Sequence, residues 1–281
     1  NISFGNIVGV DIKHPWELGR LNHLIILFYA FKKSKNIKYK YEFINHIYDF
    51  ILQNPPNYGV QWLSTMDIAI RAVNFITVYS LFKNFGEDFT NDFKSYFYNY
   101  LYSHLIYILN NLEWSSGMRA NHYFSNICGL IFLSIFLPIN SITSFAFIFA
   151  LNELKNETIY QFYDDGGNFE ASLPYHSFVS EMLFKTISIV KNIPKNHINN
   201  IINNFDKKIS KQFNFPKEIQ NRISKIDINK LIQNNVITFD SIFNQKLAKI
   251  AEFSINSLSP NFNDFQIGDN DSGYFLSLMP I

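Results

Sequence analysis

Cysteine is almost missing from this sequence. Cys128 is the single one, so no disulfide can form within the chain. It lies in an apolar run with no polar neighbour to activate it, and it reads as a structural thiol rather than a nucleophile. An excess of one charge is missing too: 24 Lys and Arg balance 23 Asp and Glu, a net +1. Such a chain has no electrostatic footprint for nucleic acid, whose binding draws on clustered basic side chains. An acidic polymer could still be held by local basic residues in a cleft. No apolar run is long enough for a membrane span. The longest, 127–139, contains Ser134 and Pro138 and falls short of the roughly 20 residues a span needs, so a buried helix is expected there. The seven histidines include no pair at ligand spacing on one helix face, and no segment matches a phosphate loop. Neither a metal nor another cofactor is expected. No secretory leader is visible after Asn1. Strand alternation and Asn-Gly hairpin turns are also absent, which argues against a sheet.

What is present is apolar and aromatic. Hydrophobic residues make up 47% of 281, with 30 Phe and 16 Tyr, enough to bury a sizeable core. They recur with helical period. Helices are predicted at 16–32, with Leu18, Leu21, Ile25 and Phe28 on one stripe, and at 39–53, ended by Asn54-Pro55-Pro56. Others are predicted from Ser64 or Thr65 to 82, at 91–112 behind a Thr90 cap, at 122–137, at 141–162, and from Pro174 to the residues before Pro194. Beyond Lys195 the chain becomes rich in Asn, Lys and Ile, with weaker stripes at 198–211, 216–223, 228–233 and 239–258. Shorter helices are expected there, and an irregular segment at 265–281. Helices joined by short loops fit stacked antiparallel hairpins. No period of about 34 residues recurs, against a tetratricopeptide array.

Four segments are more polar than a helical core requires: 14–20, 54–62 continued by 66–71, 119–122 with Asn126, and 164–176. Each falls at or just before a predicted helix start, and in a ring of helical hairpins such ends gather on one face, where binding and catalysis tend to sit.

Together these segments resemble the N-terminal helical domain of the heparinase II/III-like polysaccharide lyases, whose members include heparan-sulfate and oligoalginate lyases. The resemblance rests on Trp16-Glu17-x-x-Arg20, on Asn54-Pro55 with Gly59-x-x-Trp62 and Ala69-x-Arg71, on Asn121-His122, and on Asp165-Gly166 with Glu170-x-Ser172-x-x-Tyr175-His176, all in the family's order. The run 267–273 is similar to the family's junction into its next domain. The resemblance implies an all-α fold, an incomplete (α/α) toroid spanning 1–263. A junction at 264–281 would lead into a C-terminal β-sandwich domain that this chain lacks. It also implies a periplasmic or secreted setting.

The implied reaction is β-elimination on a uronic-acid-containing polysaccharide such as a glycosaminoglycan or alginate. The sugar carboxylate must be neutralised, the C5 proton removed and the leaving glycosidic oxygen protonated. By resemblance, Asn121 donates to the carboxylate; a helix N-cap is the plain alternative. His122 would serve as base or help neutralisation. Tyr175 would be the acid and base, its phenol needing nearby positive charge. Glu170 and His176 read as supports close to substrate. Arg71 and Arg119 could pair with acidic groups on the polymer, and Arg71, among apolar residues, could equally pair with a protein carboxylate such as Glu17. Of Trp16, Trp62 and Trp114, Trp62 is expected to line a sugar subsite. Two other classes stay open. One is an α/α-barrel glycoside hydrolase, which needs two opposed carboxylates. The other is a carbohydrate-binding fragment that is catalytically incomplete without the sandwich.

Overall fold

The computed structural model describes residues 9–117, 119–258, 265–270, 273–276 and 278. Its helices are α1 Lys13–Gly19, α2 Leu24–Ser34, α3 Lys38–Gln53, α4 Thr65–Asn84, α5 Asn91–Asn110, α6 Asn121–Phe136, α7 Ser141–Gln161, α8 Leu173–Lys191, α9 Lys195–Asn204, α10 Lys217–Ser224 and α11 Ser241–Asn256. Short 3-10 turns precede α4 and flank α10. The fold is the all-α one expected. Connections are short, so consecutive helices fold back on one another. Helices two apart then share a direction, and α2, α4, α6 and α8 pack in sequence, each against the next. Their N-termini therefore open on one side. Gly129 of α6 lets the two central helices approach closely: a Cβ there would lie 2.6 Å from the Ala69 methyl of α4.

Local chemistry sets the helix starts. Ser64 caps α4, Thr90 caps α5, Ser172 caps α8 with Pro174 in its first turn, and Asn140 forms a reciprocal capping box with Thr143 at α7. α4 is long and apolar enough by composition to cross a membrane, yet it lies mostly buried inside the fold. Cys128 is fully buried in α6, and burial pushes its thiol up to about 12.

Three expectations are corrected. The single helix predicted at 16–32 is two, because the chain turns at Leu21 (φ 54°). There the Asn74 amide donates to the Arg20 carbonyl, and the buried Arg20 guanidinium pairs with Asp67 at 2.5 Å. These tertiary partners outweigh the continuous apolar stripe. A small sheet also exists: β1 (Ile232–Gln233) pairs antiparallel with β2 (Val236–Ile237), and Asn234 and Asn235 between them both adopt positive φ, as a two-residue primed turn requires. The last helix, α11, is full-length rather than short. Of the proposed junction 264–281, residues 264, 271, 272, 277 and 279–281 lie outside the described residues.

Candidate functional site

The polar segments meet at the helix starts, held by contacts between residues far apart in sequence. The Gln61 side chain donates to the Pro15 carbonyl and the Trp16 indole to the Val60 carbonyl, which joins the first segment to the second. The third and fourth meet at Asn121 and Glu170. The Glu170 carboxylate accepts from the Asn121 backbone N–H at 3.0 Å and from its side-chain Nδ2 at 2.8 Å. Asn121 is thus not the helix cap. Ala120 occupies that position without a side-chain acceptor, and Glu170 caps α6 from across the loop, favoured by the positive end of the helix dipole.

His122 follows on the same turn. Its Nδ1 donates to the Glu113 carboxylate at 3.0 Å, while Glu113 also accepts from the Asn126 amide. Burial works to lower the His122 pKa. The Glu113 hydrogen bond and charge, with Asp67 and Glu170 beyond, outweigh it and raise the imidazole above its usual value. Glu170 is also raised: burial drives it up against the two Asn121 bonds and the nearby His122 charge, which pull it down. Asn121, His122, Glu113 and Glu170 line a cleft of about 530 Å³, with Leu112 and Trp114 supplying apolar wall. Glu113 went unnoticed in the sequence because the segment around it carries no motif; Trp114, passed over there in favour of Trp62, lines the cleft.

Behind the cleft lies a buried charged cluster. Glu153 and Glu157 of α7 are both fully buried. Arg222 of α10 bridges them at 2.7 and 2.8 Å, Arg119 reaches Glu157 at 3.1 Å, and the Tyr123 hydroxyl donates to Glu153. The Arg119 guanidinium also stacks 3.5 Å over the Tyr160 ring. Gln161 Nε2 donates to the Arg119 and Ala120 carbonyls, fixing the backbone that leads into Asn121. Burial raises the Glu157 pKa, against the bonds and charges of Arg222 and Arg119.

Tyr175 and His176 stand in the first turn of α8. Tyr175 is half-buried, and its backbone N–H donates to the Ser172 hydroxyl. His176 is buried, hydrogen-bonded to Ser254 of α11 at 2.9 Å and packed on Phe253. Gly166 (φ 95°) makes the tight turn expected of it, pressed against α11, where a Cβ would meet the Lys249 carbonyl at 2.1 Å. Trp62 and Arg71 are placed away from the cleft. Trp62 is 2% exposed, its indole donating to the Asn54 carbonyl and its ring against Tyr100, His104 and Tyr107. Arg71, wholly buried, donates to His104 Nε2 and the Gln61 carbonyl. Its partner is this neutral imidazole, held far below its usual pKa by burial and by Arg71 itself, and not Glu17. Both residues are packed into the core.

Several solved structures share this fold. A heparinase III with methylated lysines aligns over 92% of this chain and 36% of its own, at TM-score 0.57 and 19% identity. Another heparinase III covers 89% of this chain and 32% of its own, at TM-score 0.60 and 18% identity. Heparan sulfate lyase HepC from Pedobacter heparinus covers 94% and 36%, at TM-score 0.56 and 17% identity. The chain thus spans about a third of the length of these structures. No curated protein matches it. The model of the heparinase II/III N-terminus matches residues 6–251, and the chain belongs to that family.

Proposed function

We propose that this chain forms the helical wall of a polysaccharide lyase that cleaves a uronic-acid-containing polymer by β-elimination. The observation that carries the reading is the Asn121 amide clamped by Glu170 beside a His122 whose pKa is raised, on the wall of one cleft. One Nδ2 hydrogen of Asn121 is committed to Glu170, which fixes the amide plane and leaves the rest of the group for a substrate carboxylate. A raised imidazole pKa keeps more of His122 protonated near neutrality, which suits it to neutralising that carboxylate as charge develops. Tyr175, as phenolate, then takes the C5 proton. The C4–O bond breaks as a C4=C5 double bond forms, and the resulting phenol passes that proton to the leaving oxygen, which regenerates the phenolate. Arg119, tied to Glu157, acts as a positioning group for the backbone that leads into Asn121. The rest of the site would come from a β-sandwich domain beyond the junction.

Glycoside hydrolysis is the second reading, favoured by one finding: two carboxylates, Glu113 and Glu170, share the cleft. Glu170 already accepts hydrogen bonds from Asn121, and Glu113 from His122 and Asn126, which fits support better than attack on a sugar. Incubation of the intact protein with heparan sulfate separates the two. A lyase generates an ultraviolet-absorbing unsaturated end, lost in Asn121→Ala. New reducing ends without that absorbance would overturn the lyase reading.

A further inference from the structure

The segment 265–270 crosses the start of α8 and touches the stretch that joins Glu170 to Tyr175. Three contacts define it. The Leu173 N–H, which has no partner within its own helix, donates to the Ile267 carbonyl at 3.0 Å. The Ser172 hydroxyl donates to the Asp269 carbonyl at 2.5 Å while accepting from the Tyr175 N–H. Gly268 (φ 81°) lies flat on this turn: a Cβ there would sit 2.7 Å from the Ala171 carbonyl oxygen and 2.8 Å from the Ser172 Cα and Cβ. Opposite it, Ala171 itself holds a positive φ of 56°, a conformation that a non-glycine residue keeps only where its surroundings over-determine it.

We infer that segment 265–270 is a positioning strap for the proposed acid/base tyrosine. Gly268 and the carbonyls of Ile267 and Asp269 lock the Ala171–Ser172 turn, and so fix Tyr175 relative to Glu170 and the Asn121 it clamps. Without the strap, water would have to satisfy the Leu173 donor and the Ser172 hydroxyl proton. The strap satisfies the Leu173 donor and orients the Ser172 hydroxyl so that its lone pair faces Tyr175. A side chain at position 268 would lift the strap by several tenths of an ångström and release both. The inference rests on the lyase reading, in which Tyr175 is the acid and base. Gly268 and Ser172 are positioning residues within it, with no contact to substrate.

The test uses the intact protein with heparan sulfate, comparing Gly268→Ala, Ser172→Ala and, as a control, Gly86→Ala. Gly86 also has positive φ (87°), but a Cβ there meets nothing within 4 Å, so its variant carries backbone strain without touching the turn. Gly268→Ala is expected to lower kcat by roughly tenfold to a hundredfold, with KM changed by less than about twofold. Ser172→Ala should lose activity in the same pattern, and Gly86→Ala should lose melting temperature but not kcat. An activity-independent readout is amide exchange. Leu173 and Tyr175 should exchange at least about tenfold faster in Gly268→Ala, with α6 unchanged. If Gly268→Ala fails to fold, Ser172→Ala decides. Unchanged kcat and unchanged exchange in a folded variant would overturn the strap, as would a loss in Gly86→Ala equal to that in Gly268→Ala. Tyr175→Phe keeps the two ideas separate: full activity there sinks the lyase reading, whereas an inactive Tyr175→Phe beside a normal Gly268→Ala sinks only the strap.

Discussion

Replacing Glu170 by Gln probes how the cleft is organised. The native carboxylate accepts two bonds from Asn121, one from the backbone and one from the side-chain amide. Glutamine keeps one acceptor oxygen and turns an NH₂ toward the other donor, so at most one neutral bond survives. Charge-assisted bonds contribute about 1.5–3 kcal/mol and neutral ones about 1, so the exchange costs about 2 kcal/mol in orienting the amide, or roughly 30-fold in rate. The loss should appear in kcat more than in KM, because the oriented amide matters most as charge develops on the substrate carboxylate. The pH profile gives a second signature. Burial raises Glu170 above its ordinary value against the Asn121 bonds, so the wild type should lose activity on acidification as Glu170 takes a proton and loses one acceptor. Glu170→Gln should lack that limb and stay low throughout. Initial rates of ultraviolet-absorbing product from heparan sulfate, measured in Glu170→Gln, Asn121→Ala and the double variant, complete the cycle. Wild-type rates in Glu170→Gln would refute the reasoning. So would a full extra loss when it is added to Asn121→Ala, since the two residues are argued to act as one unit.

Other expectations follow from the same contacts. Arg222→Met strands Glu153 and leaves Glu157 with Arg119 alone, and leaving buried charge uncompensated costs about 3–5 kcal/mol, or about 10 °C of melting temperature in a domain this size. The folded-state pKa of Glu157 lies above its unfolded value. The native state therefore holds the extra proton between those values, and stability falls as pH rises through that window. Losing Arg222 widens the window, so the deficit should be largest at neutral pH and shrink in acid; calorimetry showing an equal deficit at all pH would contradict this. Glu113→Gln removes the charge and weakens the bond that hold His122 up. The alkaline limb of kcat/KM should move to lower pH, and an unmoved limb would remove His122 from the neutralising role. Trp62→Ala should cost about 3–5 kcal/mol of stability and leave KM unchanged in the folded fraction; a large KM increase would return Trp62 to the substrate path.

Much of the helical architecture could be read directly, because apolar spacing and short polar caps are local signals. Thr90, Pro174 and the Asn54-Pro55-Pro56 stop all act where the sequence puts them. What escaped depends on partners far along the chain. The break at Leu21 answers to Asp67 and Asn74. The β1–β2 hairpin turns on Asn-Asn, and strands this short carry no alternation to find. At the site, Asn121, His122 and Glu170 were nameable from their motifs, and the structure places them on one wall. Glu113 was not, because a carboxylate in a featureless loop gains its meaning only once His122 and Asn126 fold against it. Trp62 packs beneath Tyr107 and His104, a placement that the local stretch Gly59-Val60-Gln61 does not reveal.

Tyr175→Phe in the intact protein, assayed on heparan sulfate for ultraviolet-absorbing product, tests the central claim most directly. The change removes one hydroxyl and leaves the ring's packing. The account predicts a loss of roughly a hundredfold or more in kcat, as removal of a general acid and base entails, with folding and KM nearly unchanged. Wild-type turnover in that variant would contradict it.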